Sequence, residues 1–309
     1  MRRTVSLPDR RTARRNLYLA VIFVLGLAML LALLAAAGGN RADAKPSPSP
    51  TGSASDFKHA QFDNSTRINN GWMPLKPGMQ RNYEGSAILE GEKQRSTRRV
   101  VSTVTDVGKV IAGVRTLVLL EKDYTSGQLG EAELAFFAQD KAGNVWLQGE
   151  YPEEYENGKF ADAPTWIAGQ KGARAGIAML ANPRLGTPAY AQGFAPPPAD
   201  FNDHARVYKT GQRTCTPVDC YKNVLVTEEF TPGEPGSFQL KYYAPGVGNV
   251  RVGWRGAKEQ EKETLKLVSL KRLSPQAVTK VRKEAIALDK RAYKRSSEVY
   301  GKTQPAKPL

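Results

Sequence analysis

The sequence predicts a mainly β fold: antiparallel meanders forming a sandwich or curved half-barrel with two similar halves, with one transmembrane helix before it and one amphipathic helix after it. Three observations lead there. An uncharged apolar run stands near the start, short β-branched and aromatic segments separated by turn residues fill the middle, and a stripe with helical spacing comes near the end.

The apolar run is residues 17–37, LYLAVIFVLGLAMLLALLAAA, with no charged side chain. It matches the roughly 20 residues that a helix needs to cross about 30 Å of hydrocarbon. Arg2, Arg3, Arg10, Arg11, Arg14 and Arg15 precede it, opposed only by Asp9. Such a cluster holds that end in the cytoplasm, so residues 1–16 are read as cytoplasmic, residues 17–37 as a signal anchor in the cytoplasmic membrane, and the rest as extracytoplasmic. Ala42-Asp43-Ala44 and Ala35-Ala36-Ala37 both fit a small-x-small cleavage site, and cleavage after Ala44 would release the protein. The apolar run is longer than the usual 7–15 residues of a cleaved signal, which favours retention. Arg14-Arg15 also fits a twin-arginine export signal, although enforcing topology accounts for the arginines without it.

The formal net charge of +15 divides unevenly. Residues 1–44 carry +5, residues 251–309 carry +10, and residues 45–250, with 22 basic and 22 acidic side chains, sum to zero. The basic balance therefore belongs to the two ends. The body has no polyanion-binding signature, and nucleic acid is not an expected partner.

Residues 38–56 include KPSPSPTGSAS, a Pro/Ser-rich tether with no apolar side chain large enough to anchor it. The β domain is expected over 57–273. Residues 79–89, 97–107, 109–124, 131–139 and 144–150 read as strands, as do 205–208, 223–230, 237–244, 249–254 and 265–273. The turn-rich stretch 152–203 is read mostly as surface loops, where binding sites tend to sit. Cys215 and Cys220 are expected to pair as a disulfide in an oxidising compartment. The alternative, a pair of metal ligands, has no further Cys or His nearby in sequence. So short a loop contributes only about 2 kcal/mol and pins a turn.

A helix is predicted over 274–300. Ser274 caps it, Pro275 suits its first turn, and Val278, Val281, Ala285, Leu288 and Ala292 make one apolar stripe. Lys280, Lys283, Lys290, Arg291 and Lys294 fall on the basic surface, a candidate contact for anionic lipid or an anionic wall polymer. Residues 301–309 are expected to be disordered.

The chain matches itself at an offset of 106 residues. Val118-Leu119-Leu120 lies over Val224-Leu225-Val226, Leu134 over Leu240, and Phe136-Phe137-Ala138 over Tyr242-Tyr243-Ala244. Each unit reads as a three-stranded meander, near 110–146 and 217–252, with one ring of each aromatic pair inward and the other outward.

Several stretches carry a resemblance: Phe62-Asp63-Asn64, Pro74-Leu75-Lys76-Pro77-Gly78, Tyr83-Glu84-Gly85, Ala138-Gln139-Asp140, Tyr155-Glu156-Asn157-Gly158-Lys159 and Tyr242-Tyr243-Ala244-Pro245-Gly246-Val247-Gly248. The chain resembles an uncharacterised family of bacterial secreted proteins and envelope lipoproteins over roughly 60–255. The resemblance implies a secreted antiparallel β domain with no established activity or catalytic residues. Many members carry a lipid on an N-terminal cysteine. This chain has no cysteine before Cys215, which favours the helical anchor.

No residue pattern fixes a chemistry. His59 and His204 are the only histidines, and no GxSxG elbow, P-loop, GxGxxG, HExxH or EF-hand pattern occurs. Glu150, Glu153, Glu154 and Glu156 lack the alternating ligands and mid-loop glycine of a calcium loop. No catalytic residue, cofactor or metal is assigned. The leading expectation is a non-enzymatic binding or scaffolding module of the cell envelope. The alternative is a carrier or sensor of an apolar, lipid-like ligand in a half-open barrel, its groove lined by Phe136, Phe137, Trp146, Tyr242 and Tyr243. A third is a hydrolase of envelope polymers using His204 or two of the glutamates.

Overall fold

The computed structural model describes residues 57–309 apart from 59, 89, 90 and 92. The anchor, its arginine-rich flank, the tether and His59 lie outside the described residues. Among the described residues no helix is long and apolar enough to cross a membrane.

The strands are β1 (Met79–Ile88), β2 (Arg95–Ile111), β3 (Val114–Thr125), β4 (Gln128–Gln139), β5 (Val145–Glu156), β6 (Lys159–Asp162), β7 (Trp166–Ile167) and β8 (Arg174–Met179). They continue with β9 (Tyr190–Ala191), β10 (Gly193–Phe194), β11 (His204–Cys215), β12 (Cys220–Phe230), β13 (Phe238–Ala244), β14 (Gly248–Arg255) and β15 (Thr264–Arg272). Helices α1 (Pro275–Arg295) and α2 (Ser297–Tyr300) follow, then β16 (Lys307–Pro308). Three hairpins turn on two residues of positive φ: Ala112-Gly113, Ser126-Gly127 and Asn157-Gly158. That geometry matches the right-handed twist of the flanking strands, so local chemistry sets these registers.

All neighbouring strands are antiparallel, in the order β8-β5-β4-β3-β2-β1-β15-β14-β13-β12-β11. The two ends of this order meet through one short segment. Tyr190 and Ala191 pair with β11, and after Gln192 the same run continues as Gly193 and Phe194, which pair with β8. The sheet is thus bent into a nearly closed, barrel-like ring with a short seam. At the seam the backbones touch: a Cβ on Gly176 would lie 2.3 Å from the Gln192 carbonyl carbon. The stretch 152–203, expected as surface loops, is a correction to the sequence reading, because it supplies the seam and much of the packing. Trp166, Ile167, Ile177, Met179 and Tyr190 are all buried. Its strands are two to six residues long, too short for alternation to be legible.

One core cluster joins Leu117, Leu119, Phe137 and Leu147 from one half of the ring to Val207, Leu225 and Tyr243 from the other, and so occupies the interior. A second cluster lies outside β3–β5, where Val118, Leu120, Leu134 and Phe136 meet Ala285, Leu288 and Ala292 of α1 and Tyr300 of α2. Ser274 accepts a hydrogen bond from the Ala277 amide and Pro275 opens the helix, as the sequence predicts. Beneath α1, Lys109 and Asp289 form a buried ion pair at 3.0 Å.

The tail is a second correction. Residues 301–309 were expected to be disordered. Instead Lys307 and Pro308 pair with Gly108 and Val107 of β2, and the Ala306 amide donates to Asp289 Oδ2 at 3.1 Å. The Gln304 carbonyl accepts from Lys109 Nζ at 2.7 Å. A buried charged pair needs more hydrogen bonds than its two members supply, and the tail backbone provides them.

The repeat corresponds to β3-β4-β5 and β12-β13-β14, with Phe136 and Phe137 on β4 and Tyr242 and Tyr243 on β13. The registers differ: Phe136 lies opposite Val118, whereas Tyr242 lies opposite Val226, not Val224. A two-residue slip leaves every side chain on its original face. Phe137 and Tyr243 accordingly share the interior cluster, and Phe136 and Tyr242 point outward.

Candidate functional site

Two features stand out chemically, a lysine-bearing helix face and an acid-lined interior. On α1 the buried positions Ala285, Leu288, Asp289 and Ala292 fall along one side. Lys280, Lys283, Lys290 and Lys294 are exposed. At 100° per residue these four lie within about an 80° arc opposite the buried stripe. Arg291 leaves this set, a third correction to the sequence reading. Its guanidinium turns inward and donates to Glu153 Oε2 at 2.7 Å, where Arg295 also pairs at 2.7 Å. Burial alone would raise the Glu153 pKa, but hydrogen bonds from Arg291, Tyr151 and Tyr155 hold it below the usual carboxylate range. Arg282 is likewise bound to Asp106. The outward charge that remains is the lysine row.

Inside the ring, β3 alternates Leu117 and Leu119 with Glu121 and Asp123 along the same inward face, and β4 does so with Phe137, Ala135, Glu133 and Glu131. Pairing sets Glu121 directly opposite Glu133 and Asp123 opposite Glu131, while Glu150 of β5 stands opposite Ala135. Directly opposed like charges on neighbouring strands destabilise a sheet unless neutralised. Two cations reach this wall. Arg98 binds Asp123 and Glu263, and Lys241, from the opposite side, binds Glu229 at 2.6 Å. Burial pushes Glu131, Glu133 and Glu150 well above the ordinary carboxyl range, and Asp203 up to about 7. One oxygen of each of Glu131, Glu133 and Glu150 has no hydrogen-bond partner. Among the described residues no three His, Cys, Asp or Glu side chains converge as metal ligands. Burial and the neighbouring carboxyls both favour the neutral form of Glu131, Glu133 and Glu150 over the carboxylate. Above this wall lies a cavity of about 60 Å³ lined by Leu75, Tyr83, Glu121, Glu229, Lys241 and Tyr243 among others. At 10–15 Å³ per water position it accommodates roughly four waters.

The five aromatics expected to share an apolar groove do not come together, a fourth correction. Phe136 lies under α2 and Trp146 against Phe57 on the outer face. Phe137 and Tyr243 are inside, beside the small cavity, and Tyr242 is half-buried on the outer face of the second meander. Strand alternation separates adjacent rings onto opposite faces, and the core fills the space between those that remain. Drug-sized ligands occupy about 300–1,000 Å³, far more than this cavity.

The glutamate group also disperses. Glu150 points inward and accepts from Trp166 Nε1 at 2.9 Å, Glu153 points outward to the arginines, and Glu156 is exposed at a turn. His204 opens β11, its Nδ1 3.3 Å from the Asn202 carbonyl, with burial lowering its pKa. Cys215 and Cys220 form the expected disulfide at the tip of the β11–β12 hairpin. The interior carboxyls were missed because an acidic residue at every second strand position reads as a solvent face. The pairing Glu121/Glu133 and Asp123/Glu131 across one predicted hairpin was the available signal.

No family model matches the chain, and no curated protein matches it. Two solved structures are similar. One is a candidate exported protein with a YmcC-like fold from Bacteroides fragilis, at 13% identity and TM-score 0.39, covering 65% of this chain and 99% of its own. The other is a candidate lipoprotein from Parabacteroides distasonis, at 11% identity and TM-score 0.38, covering 68% of this chain and 100% of its own.

Proposed function

We propose that this protein is a membrane-anchored extracytoplasmic binding or scaffolding module of the bacterial cell envelope, and that it lies against the anionic membrane surface through α1. The observation that carries the reading is the lysine row Lys280, Lys283, Lys290 and Lys294. It remains outward after the neighbouring arginines have been taken up by Asp106 and Glu153. The Cys215–Cys220 disulfide supports an oxidising location, and the uncharged run 17–37 behind six arginines supports the anchor. A tether of 38–56 keeps the ring near the bilayer, and each lysine at an anionic surface contributes about 1 kcal/mol.

The test is co-sedimentation of the fragment 57–309 with vesicles of graded phosphatidylglycerol content. Binding should rise with anionic fraction and fall with salt. Replacing the four lysines by glutamine should abolish it. Equal binding to neutral and anionic vesicles, or undiminished binding of the glutamine variant, refutes the membrane contact. Binding to purified anionic wall polymer with none to vesicles reassigns the surface.

A further inference from the structure

The two meanders are covered differently on their outer faces. In the first, Val118, Leu120, Leu134 and Phe136 are buried beneath α1 and α2. At the 106-residue offset these four correspond to Val224, Val226, Leu240 and Tyr242. Val224, Val226 and Leu240 form a buried cluster of their own outside the second meander, and no helix residue belongs to it. Its cover is three half-buried rings, Tyr208, Tyr221 and Tyr242. Cations lie on those rings. The Arg251 guanidinium is 4.9 Å from the Tyr242 centroid, the Arg255 guanidinium is 4.6 Å from that of Tyr208, and the Lys209 ammonium is 4.9 Å from the same ring. Glu228 holds Arg206 and Arg255, and Lys209 and Lys222 are exposed at the margin. Tyrosine and arginine over an aliphatic floor is the composition that concentrates binding energy at protein interfaces.

We propose that this face docks an acidic amphipathic helix of a partner protein, laid across Tyr208, Tyr221 and Tyr242, the rings that cover Val224, Val226 and Leu240. The first face shows how its margins are joined. At those margins three ion pairs run from helix arginine to sheet carboxylate, Arg282–Asp106, Arg291–Glu153 and Arg295–Glu153, and Lys122–Glu284 runs the other way, as does the Lys109–Asp289 pair buried beneath the helix. On the second face the sheet supplies the cations, so the docked helix supplies the carboxylates. A second copy of this face would bring Arg251 and Lys209 against their own kind and is disfavoured by that repulsion. The inference goes beyond the membrane contact and uses a different surface.

The experiment uses the full chain in nanodiscs of neutral phosphatidylcholine, which removes the lysine–lipid contact. The probe is a fluorescent peptide of the α1 sequence carrying Arg282→Glu, Arg291→Glu, Arg295→Glu, and Gln at Lys280, Lys283, Lys290 and Lys294. Anisotropy should show saturable binding, with carboxylate–amine cross-links to Lys209 and Lys222. Arg251→Glu with Lys209→Glu should weaken it at least tenfold, whereas Arg251→Lys with Lys209→Arg should retain it. Both variants change side chains on the surface, and unchanged thermal unfolding will show that the ring is intact. No binding, equal binding of the unaltered basic peptide, or cross-links confined to other faces overturns the proposal. Phosphatidylglycerol-vesicle binding that is lost in Arg251→Glu/Lys209→Glu with the α1 lysines intact would make the face a lipid site and likewise overturn it.

Discussion

Replacing Asp289 by alanine tests how the C-terminal helix and tail are held. The carboxylate accepts from Lys109 Nζ at 3.0 Å, from the Tyr300 hydroxyl at 2.7 Å and from the Ala306 amide at 3.1 Å. The Lys109 side chain is 0% exposed and its partner 1%. Burial already pulls the Lys109 pKa down, and Asp289 opposes that pull. Without Asp289 the ammonium keeps the Tyr293 hydroxyl at 3.1 Å, the Gln304 carbonyl at 2.7 Å and the Tyr300 and Tyr293 rings at 4.1 and 5.1 Å, none of which carries a charge to balance it. Breaking one side of a buried pair costs about 3–5 kcal/mol, because the other charge stays desolvated. The double variant Lys109→Met/Asp289→Leu removes both charges and should cost far less, within about 1–2 kcal/mol of the parent. The assay is urea unfolding of the fragment 57–309 for the parent, the single variant and the double variant. Limited trypsin digestion at Lys302 reports whether the tail has come off β2. A loss below about 1 kcal/mol in Asp289→Ala, or a double variant as unstable as the single, would refute the reasoning.

The acid-lined interior predicts an inverted pH dependence. Asp203 is raised from 3.8 to about 7 and Glu154 from 4.5 to about 7, burial first in both, with Glu229 next for Asp203 and Asp162 for Glu154. A carboxyl whose folded pKa lies above its unfolded value binds its proton more tightly when folded. Its contribution is full below about pH 4 and is lost as pH rises toward 7, on the order of 4 kcal/mol for Asp203 alone. The urea midpoint should therefore be higher at pH 5 than at pH 8, and an equal or lower midpoint at pH 5 would refute protonated carboxyls. Gly176→Val places atoms where the Gln192–Gly193 backbone already lies, so the seam should open. Protease cleavage within 180–203 and a loss of about 1–3 kcal/mol are expected, whereas an unchanged digestion pattern would deny the seam its role. Cys215→Ser with Cys220→Ser should cost no more than about 2 kcal/mol and leave the Asp289 network intact, measured by the same unfolding assay.

The local features were legible because local chemistry sets them. The cap at Ser274 and the stripe Ala285, Leu288 and Ala292 need only neighbours in sequence. So did the strands of the two meanders, where period-two alternation and turn residues agree. The candidate surface was legible in part. Lys280, Lys283, Lys290 and Lys294 face out as their spacing implies, but Arg291, about 20° beyond their arc toward the sheet, reaches Glu153 on β5. That contact joins residues 138 apart in the chain and leaves no mark in either local pattern.

The sequence by itself determined a mainly β chain with one amphipathic helix and one short disulfide loop, since periodicity, turn chemistry and cysteine spacing act over a few residues. Tertiary structure alone decided which strand face was inside. In VLLEKDYT the alternation is clear, but its direction is not: Val118 and Leu120 lie outside beneath α1, and Glu121 and Asp123 point into the ring. A half-buried sheet with its charges in solvent would show the same pattern. Only the seam at 190–194, joining β8 to β11, turns the acidic face inward, and only the docked helix makes the apolar face a second core. Both depend on surfaces brought together from distant parts of the chain, and that is why the acid-lined interior and the pinned tail emerge from packing.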